Sequence, residues 1–319
     1  MAMRTLQMRL IFLLTLSLLI AVTNLACTRG SRPTAEALTL SDPGPSYESG
    51  EDAWRNEHTE YIRRQFVSIV GQSPLKEGTN IIGSGREADL YVNDTAFPSN
   101  AGEFHLEGGK ITFVAKSKVP AQLSGKEIRT AEIQSDAEGK RKPDALSIAG
   151  CEVTVLEREG KFHVRVRNRT GEQSRSFNGL EFFPIERRWR IPARYTPHSS
   201  PREVGFETSG NDFQTRMMSL GTVTFTIDGQ SLTLEAIQSS PGSNKLQLLF
   251  RDASNGKETY PGGRYLYFDM PSDGQPAVLD FNRATSPPCA VTPFGFCPLA
   301  PRSARVNTPV LAGEKYAKH

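Results

Sequence analysis

Carboxylates, guanidiniums and phenols crowd the C-terminal part of this chain, from residue 251 onward. Arg251, Arg264 and Arg283 supply planar cations; Asp252, Glu258, Asp280 and Glu314 supply carboxylates; Tyr260, Tyr265 and Asn282 add further donors. Drawn into one cluster, the arginines can take a planar anion through paired N–H bonds. Two of the four carboxylates facing each other can do acid–base chemistry, because each raises the other's pKa. The same residues can also form a buried ion-pair network that pins the C-terminal tail. Alternation in Leu279-Asp280-Phe281-Asn282-Arg283 separates Asp280 and Asn282 from Leu279, Phe281 and Arg283, so Asp280 and Asn282 share a face.

Other chemistry is thin. His58, His105, His163, His198 and His319 are scattered, and His198 lies in a Thr-Pro-His-Ser-Ser-Pro stretch that reads as an exposed loop. No phosphate-binding loop, dinucleotide turn, nucleophile elbow or zinc-protease helix occurs, so no cofactor is expected. Cys289 and Cys297 flank a Pro-containing loop and are expected to be disulfide-bonded; a zinc site is the competing reading, with no His nearby to complete it. Cys151 opens a strand-like run and reads as a small buried apolar residue.

The elements that must position these residues are mostly β. Glu51 to Val70 places Trp54, Tyr61, Ile62 and Phe66 at helical spacing, with Gly71 and Pro74 to stop it, so 51–74 reads as a helical segment lying as a lid on the first β module. From Leu75 the texture is short β-rich runs separated by Gly-containing turns. Val164 and Val166 alternate with Arg165, Arg167 and Arg169, as in a strand with one buried and one open face. Residues 177–193 cross to a second β module, in which Asp228-Gly229 is a hairpin turn. The fold class is mainly β: one N-terminal helix, then two linked antiparallel sandwich or barrel modules, 75–185 and 186–319.

The tail motifs are long. Arg251-Asp252-Ala253-Ser254-Asn255-Gly256-Lys257-Glu258-Thr259-Tyr260 is followed by Gly263-Arg264-Tyr265-Leu266, Asp280-Phe281-Asn282-Arg283-Ala284, Pro287-Pro288-Cys289, Cys297-Pro298-Leu299 and Ala312-Gly313-Glu314. In these the chain resembles domain of unknown function family 1684, a bacterial and archaeal group without an assigned reaction. The resemblance implies a fold and a place for the polar patch. Thr285-Ser286, Ala300 and Ser303-Ala304-Arg305-Val306 depart from the family's usual residues. The first module, through Ile81-Ile82-Gly83-Ser84-Gly85-Arg86, also resembles a forkhead-associated sandwich. That family's phosphothreonine-reading loops are not present in order, which implies a scaffold rather than a phosphopeptide reader.

The N-terminus supplies an address. Arg4 and Arg9 precede an apolar run from Leu10 to Val22 that is too short to span a bilayer and has the order of a secretory signal, here residues 1–26. Asn24-Leu25-Ala26-Cys27 resembles a lipobox, which implies acylation of Cys27 and attachment to a membrane; plain cleavage leaving a free thiol is the alternative. Residues 27–50, rich in Ser, Thr, Pro and Gly, read as a flexible tether. Removing Arg4 and Arg9 takes the formal charge from +3 to +1, which gives no reason to invoke nucleic acid. The expected function is an exported, lipid-anchored protein on the periplasmic or outer-surface side. It binds a small ligand or a protein partner through the Arg/Asp/Asn patch, with a hydrolase using two of Asp252, Glu258, Asp280 and Glu314 as the alternative.

Overall fold

Tyr47 starts the chain's long helix, α1 (Tyr47–Ile62), inside the stretch expected to be tether. The computed structural model describes residues 38–116, 118–137, 140–209 and 214–316; the signal segment and Cys27 lie outside them. From Leu38 onward the chain clusters as one compact unit. After α1, a wider helical turn over Arg63–Val67 leads straight into strand β1 (Ile69–Pro74), so the helix ends well before residue 74. The reason is local and tertiary together. Val67, Ile69 and Val70 are β-branched, which disfavours helix, and the backbone of 69–74 finds an antiparallel partner further along the chain. Gly71 is required there, since a Cβ would stand 2.6 Å from the Tyr91 carbonyl oxygen.

The first module carries β2 (Gly78–Gly83), β3 (Leu90–Tyr91), β4 (Gly102–Glu107), β5 (Lys110–Ala115), β6 (Ala121–Leu123), β7 (Lys126–Ile128), β8 (Thr130–Glu132), β9 (Ala145–Ile148), β10 (Cys151–Arg158) and β11 (Lys161–Arg167). One sheet runs β1-β11-β10-β9-β6-β7 and the other β3-β2-β4-β5-β8. Ladders are antiparallel except for the short β2–β3 pair. Between the sheets lie Ile82, Phe104 and Phe113 from one side and Ile148, Val153, Val155, Val164 and Val166 from the other. Cys151 is in this core, and burial pushes its thiol up to about 11, which makes it the inert apolar residue expected. The sandwich begins at Ile69 rather than Leu75.

A short helix α2 (Glu172–Ser176) and a single turn at Arg187–Trp189 lead into the second module. Its strands are β12 (Arg190–Glu207), β13 (Gln214–Ile227), β14 (Gln230–Gln238), β15 (Lys245–Phe250), β16 (Arg264–Asp269) and β17 (Ala277–Asp280). They form one antiparallel sheet in the order β16-β15-β14-β13-β12-β17, curled until its two edges approach, a nearly closed barrel. Asp228 and Gly229 both take positive φ, 46° and 78°, and make the tight hairpin between Ile227 and Gln230. The core holds Trp189, Val223, Leu246, Phe250, Leu266 and Phe281, and the tail adds Val306, Val310 and Ala312. His198 is not in an exposed loop. It lies within β12, beside a register shift, and its Nε2 faces Ser219 Oγ at 3.1 Å and Glu235 Oε2 at 3.2 Å.

The helix α1 is also not a lid on the first module. It docks on the second: Tyr47 Oη donates to Asp280, Arg283 pairs with Glu51, and Arg55 donates to the Phe183 carbonyl.

Candidate functional site

The predicted patch resolves into separate knots. In the first, Arg264 is fully buried; its Nη2 donates to Asp252 Oδ2 and to the Val310 carbonyl, both at 2.8 Å, and its Nη1 to the Ala312 carbonyl. Asp252 in turn accepts from the N–H groups of Ser254 and Val310. This is the tail-pinning network. Arg251 serves the same end, donating to the carbonyls of Ala300 and Pro261.

In the second knot, Asn282 is fully buried and bonds Tyr47, Asp280 and both backbone groups of Glu186. Arg283 reaches Glu51 at 2.7 Å and lies over the Trp54 ring. Asp280 and Asn282 do meet, as alternation implied, but Asp280 does not join Arg264. A third group forms around Glu314, which accepts from Ser286 N–H at 3.2 Å and has His58 Nε2 at 3.6 Å. Glu258 is exposed. The side-chain carboxylates of Asp252, Glu258, Asp280 and Glu314 share no hydrogen-bond or ion-pair partner among the described residues.

The two cysteines meet but are not bonded. Cys289 and Cys297 are free thiols, and the Cys289 N–H donates to Cys297 Sγ at 3.2 Å. Here the buried sulfur faces the other cysteine's backbone instead of closing the expected disulfide. Cys289 Sγ lies 3.3 Å from Tyr260 Oη, while Tyr265 Oη donates to the Pro298 carbonyl at 2.6 Å.

The cavity best shaped for a ligand lies where α1, the outer face of β11 and the barrel wall converge. It encloses about 720 Å³, within the range that accommodates a small organic molecule. Trp54, Tyr61 and Phe66 line it from the N-terminal helical segment, Tyr265 and Tyr267 from β16, and Phe296 from the cysteine loop. Trp54 stacks on His58, with ring centroids 5.1 Å apart. Tyr61 and Tyr267 are 53% and 43% exposed, which puts aromatic surface at the cleft's rim rather than in a core.

The polar members are cationic or neutral: Arg158, Arg165, Lys245, Arg283, Gln247, Ser239 and Ser286, with no carboxylate among the described lining residues. Three of the cations already have carboxylate partners, Arg158 with Asp136, Arg283 with Glu51 and Lys245 with Asp269. Arg165 is different. Its Nε donates to Gln72, and no carboxylate pairs with it among the described residues. Burial first, then the charges of Arg167 and Arg158, pull its pKa well below the usual guanidinium value. Two more polar atoms buried here make no hydrogen bond, Ser286 Oγ and His58 Nε2, the latter 3.6 Å from the Glu314 carboxylate. Buried polar atoms without a hydrogen bond are uncommon in native structures and call for an explanation.

Of the predicted site residues, Tyr265, Arg283 and Cys297 line this cleft; the rest of the Arg/Asp/Asn patch does not. The residues missed were Trp54, His58, Tyr61, Arg165, Tyr267 and Ser286. One signal was present: a strand that puts Val164 and Val166 inward and Arg165 and Arg167 outward has a second face needing a partner.

Comparison with known proteins places the C-terminal module first. The family model for "Protein of unknown function (DUF1684)" matches residues 175–315. Among solved structures, the solution NMR structure of an uncharacterized protein from Haloarcula marismortui is 36% identical, with a TM-score of 0.38; the match covers 45% of this chain and 80% of that one. Two forkhead-associated structures show a weaker likeness. One, from work on phosphothreonine-dependent FHA domain interactions, is 18% identical with a TM-score of 0.21, covering 31% of this chain and 95% of that one. The other, the FhaA FHA domain complexed with the intracellular domain of Rv3910, is 16% identical with a TM-score of 0.21, covering 30% and 97%. No curated protein matches the chain. Over residues 175–315, the stretch that carries the tail motifs, the chain is thus assigned to the DUF1684 family.

Proposed function

We propose that this is an exported, lipid-anchored protein that binds a small organic anion in the cleft between α1, β11 and the barrel. The observation that carries the reading is Arg165, a desolvated guanidinium with no carboxylate partner, facing a wall of aromatic rings. A carboxylate or phosphate fits its free N–H groups, and an aryl or acyl body fits Trp54, Tyr61 and Tyr267. Ser286 Oγ, which makes no hydrogen bond within the protein, offers the ligand a further polar contact. The sequence patch contributes at second hand, by fixing α1 through Asp280, Asn282 and Arg283.

The test is a thermal-shift series with decanoate, indole-3-acetate, phenyl phosphate and inorganic phosphate as probes. At least one probe with both an anionic head and an apolar body should stabilise the protein, and inorganic phosphate should do so less. A charge-assisted hydrogen-bond pair contributes roughly 1.5–3 kcal/mol. Arg165→Gln should therefore weaken the best probe by roughly 10- to 100-fold. Without ligand the variant should be at least as stable as the parent, because a desolvated charge has been removed. Equal probe affinity in Arg165→Gln and the parent would refute the site.

The address rests on the lipobox-like Asn24-Leu25-Ala26-Cys27 after an apolar leader. No helix among the described residues is long and apolar enough to cross a membrane. Cys27→Ala is expected to leave export intact and to move the protein from the membrane to the soluble fraction. Unchanged membrane retention, read by fractionation and blotting, would rule out the acyl anchor.

A further inference from the structure

Cys289 and Cys297 occupy unequal positions in one wall. Cys289, on the turn after Pro287-Pro288, is half-buried and lines a surface depression with Val67, Phe177 and Asn178. Cys297 is 4% exposed. Its strand-like segment is clamped on both sides by Ser209, whose N–H donates to the Cys297 carbonyl at 3.0 Å and whose Oγ accepts from the Cys297 N–H at 3.1 Å. Gly295 keeps the space beside the pair open. A Cβ there would lie 3.0 Å from Cys297 Sγ and 3.2 Å from Cys289 N, closer than ordinary contact. The Tyr260 hydroxyl, 3.3 Å from Cys289 Sγ, is placed to donate to a thiolate.

We propose that this pair is a thiol–disulfide exchange couple in which the more accessible Cys289 attacks and the buried Cys297 resolves. The co-reactant is a small-molecule disulfide, for which oxidised glutathione is the probe. Cys289 thiolate attacks one sulfur of the disulfide; that S–S bond breaks, and its electron pair leaves on a thiolate that takes a proton from solvent. The product is a mixed disulfide at Cys289. Cys297 then loses its proton to water, its sulfur attacks Cys289 Sγ, and the second small thiolate departs. The protein dithiol has lost two electrons and two protons, and the small disulfide has become two thiols.

The electrostatics agree with this division of roles. Hydrogen bonding from the Cys297 thiol, and secondarily from Tyr260, outweighs burial and draws Cys289 down to about 6, while Cys297 is pushed far up by the same contact and by burial. A thiol with a pKa near ambient pH is the best attacking group, and the low-pKa partner is also the better leaving group in the reverse direction.

The experiment is alkylation of the reduced protein with iodoacetamide between pH 4 and 9, mapped by mass spectrometry, followed by treatment with oxidised glutathione. Cys289 should label first, with a midpoint about 6, against roughly 8.5 for an unperturbed thiol. Oxidised glutathione should yield an internal disulfide. Cys297→Ser should instead accumulate a glutathione adduct at Cys289, and Cys289→Ser should abolish the fast labelling. Tyr260→Phe, which keeps the ring, should raise the midpoint and covers the case in which a serine variant fails to fold. Three results would overturn the proposal: an ordinary midpoint at Cys289, no disulfide after oxidised glutathione, or a zinc ion held by both thiols in the purified protein.

Discussion

Arg264→Ala should destabilise the protein by roughly 3–5 kcal/mol, the range for breaking a buried ion pair by removing one partner. Neither Arg264 nor Asp252 has any exposed surface, so the carboxylate left behind keeps its charge in a medium that solvates it poorly. It retains the N–H groups of Ser254 and Val310, which soften the loss but do not neutralise it. The carbonyls of Val310 and Ala312 also lose their donor, and the guanidinium no longer covers the Phe250 ring. Asp252→Ala should cost a similar amount, for the opposite charge. The double variant should cost clearly less than the two singles added, because neither charge is then stranded. It should not return to parental stability, since those two tail carbonyls stay unpaired. Urea unfolding of the four proteins measures all of this. Additive effects each below about 1 kcal/mol would show that the pair does not hold the tail. Arg264→Lys is a useful fifth protein: an ammonium keeps the charge but cannot serve Asp252 and two carbonyls from a planar fork.

What could be read in the sequence and what could not divide along the range of the interactions involved. Short-range chemistry was legible. Asp228-Gly229 turns where it should, Cys151 is buried, and Val164 and Val166 face a core. The location of the polar network in the tail was legible too, because Asp252 and Arg264 are close in sequence and lie in motif-dense runs. The partner assignments were not: Arg264 meets Asp252 rather than Asp280, and Asp280 meets Tyr47, which lies in a stretch composed like a linker. The end of α1 was misread because Ile69 and Val70 fit a helical pattern until β11, nearly a hundred positions later, supplies a ladder. The cleft was least legible. Arg165 leaves its own module's core, so a strand pattern calls it outward, and only the arrival of α1 and the barrel turns that outside into a wall. Side chains from three distant segments make the site, and no local pattern records their meeting.

Asn282→Ala should cost roughly 1–3 kcal/mol, the range for a buried polar group left without a partner. The side chain is fully buried and closes the junction between α1 and the barrel. Its Oδ1 accepts from the Glu186 N–H at 3.1 Å, and its Nδ2 reaches the Glu186 carbonyl and Tyr47 Oη at 2.9 Å each and Asp280 Oδ1 at 3.0 Å. Alanine strands the Glu186 N–H, leaves the Glu186 carbonyl with the Trp189 N–H as its donor, and leaves Tyr47 with Asp280 alone. The damage should spread to the cleft, because Tyr47 begins the helix that carries Trp54, His58 and Tyr61 into it. Hydrogen exchange along α1 should accelerate more than exchange in the core strands β10 and β11, and the probe that binds the parent should bind more weakly. Asn282→Asp sharpens the test. A carboxylate there faces Asp280, so its pKa must rise on folding above its unfolded value of about 3.9. The native state then binds more protons than the unfolded state, and stability falls as pH rises through that window. The aspartate variant should accordingly be much closer to the parent at pH 4 than at pH 7. If Asn282→Ala lies within 0.5 kcal/mol of the parent, or Asn282→Asp shows no such pH dependence, Asn282 does not hold the helix to the barrel, and the cleft's aromatic wall must be fixed by other contacts.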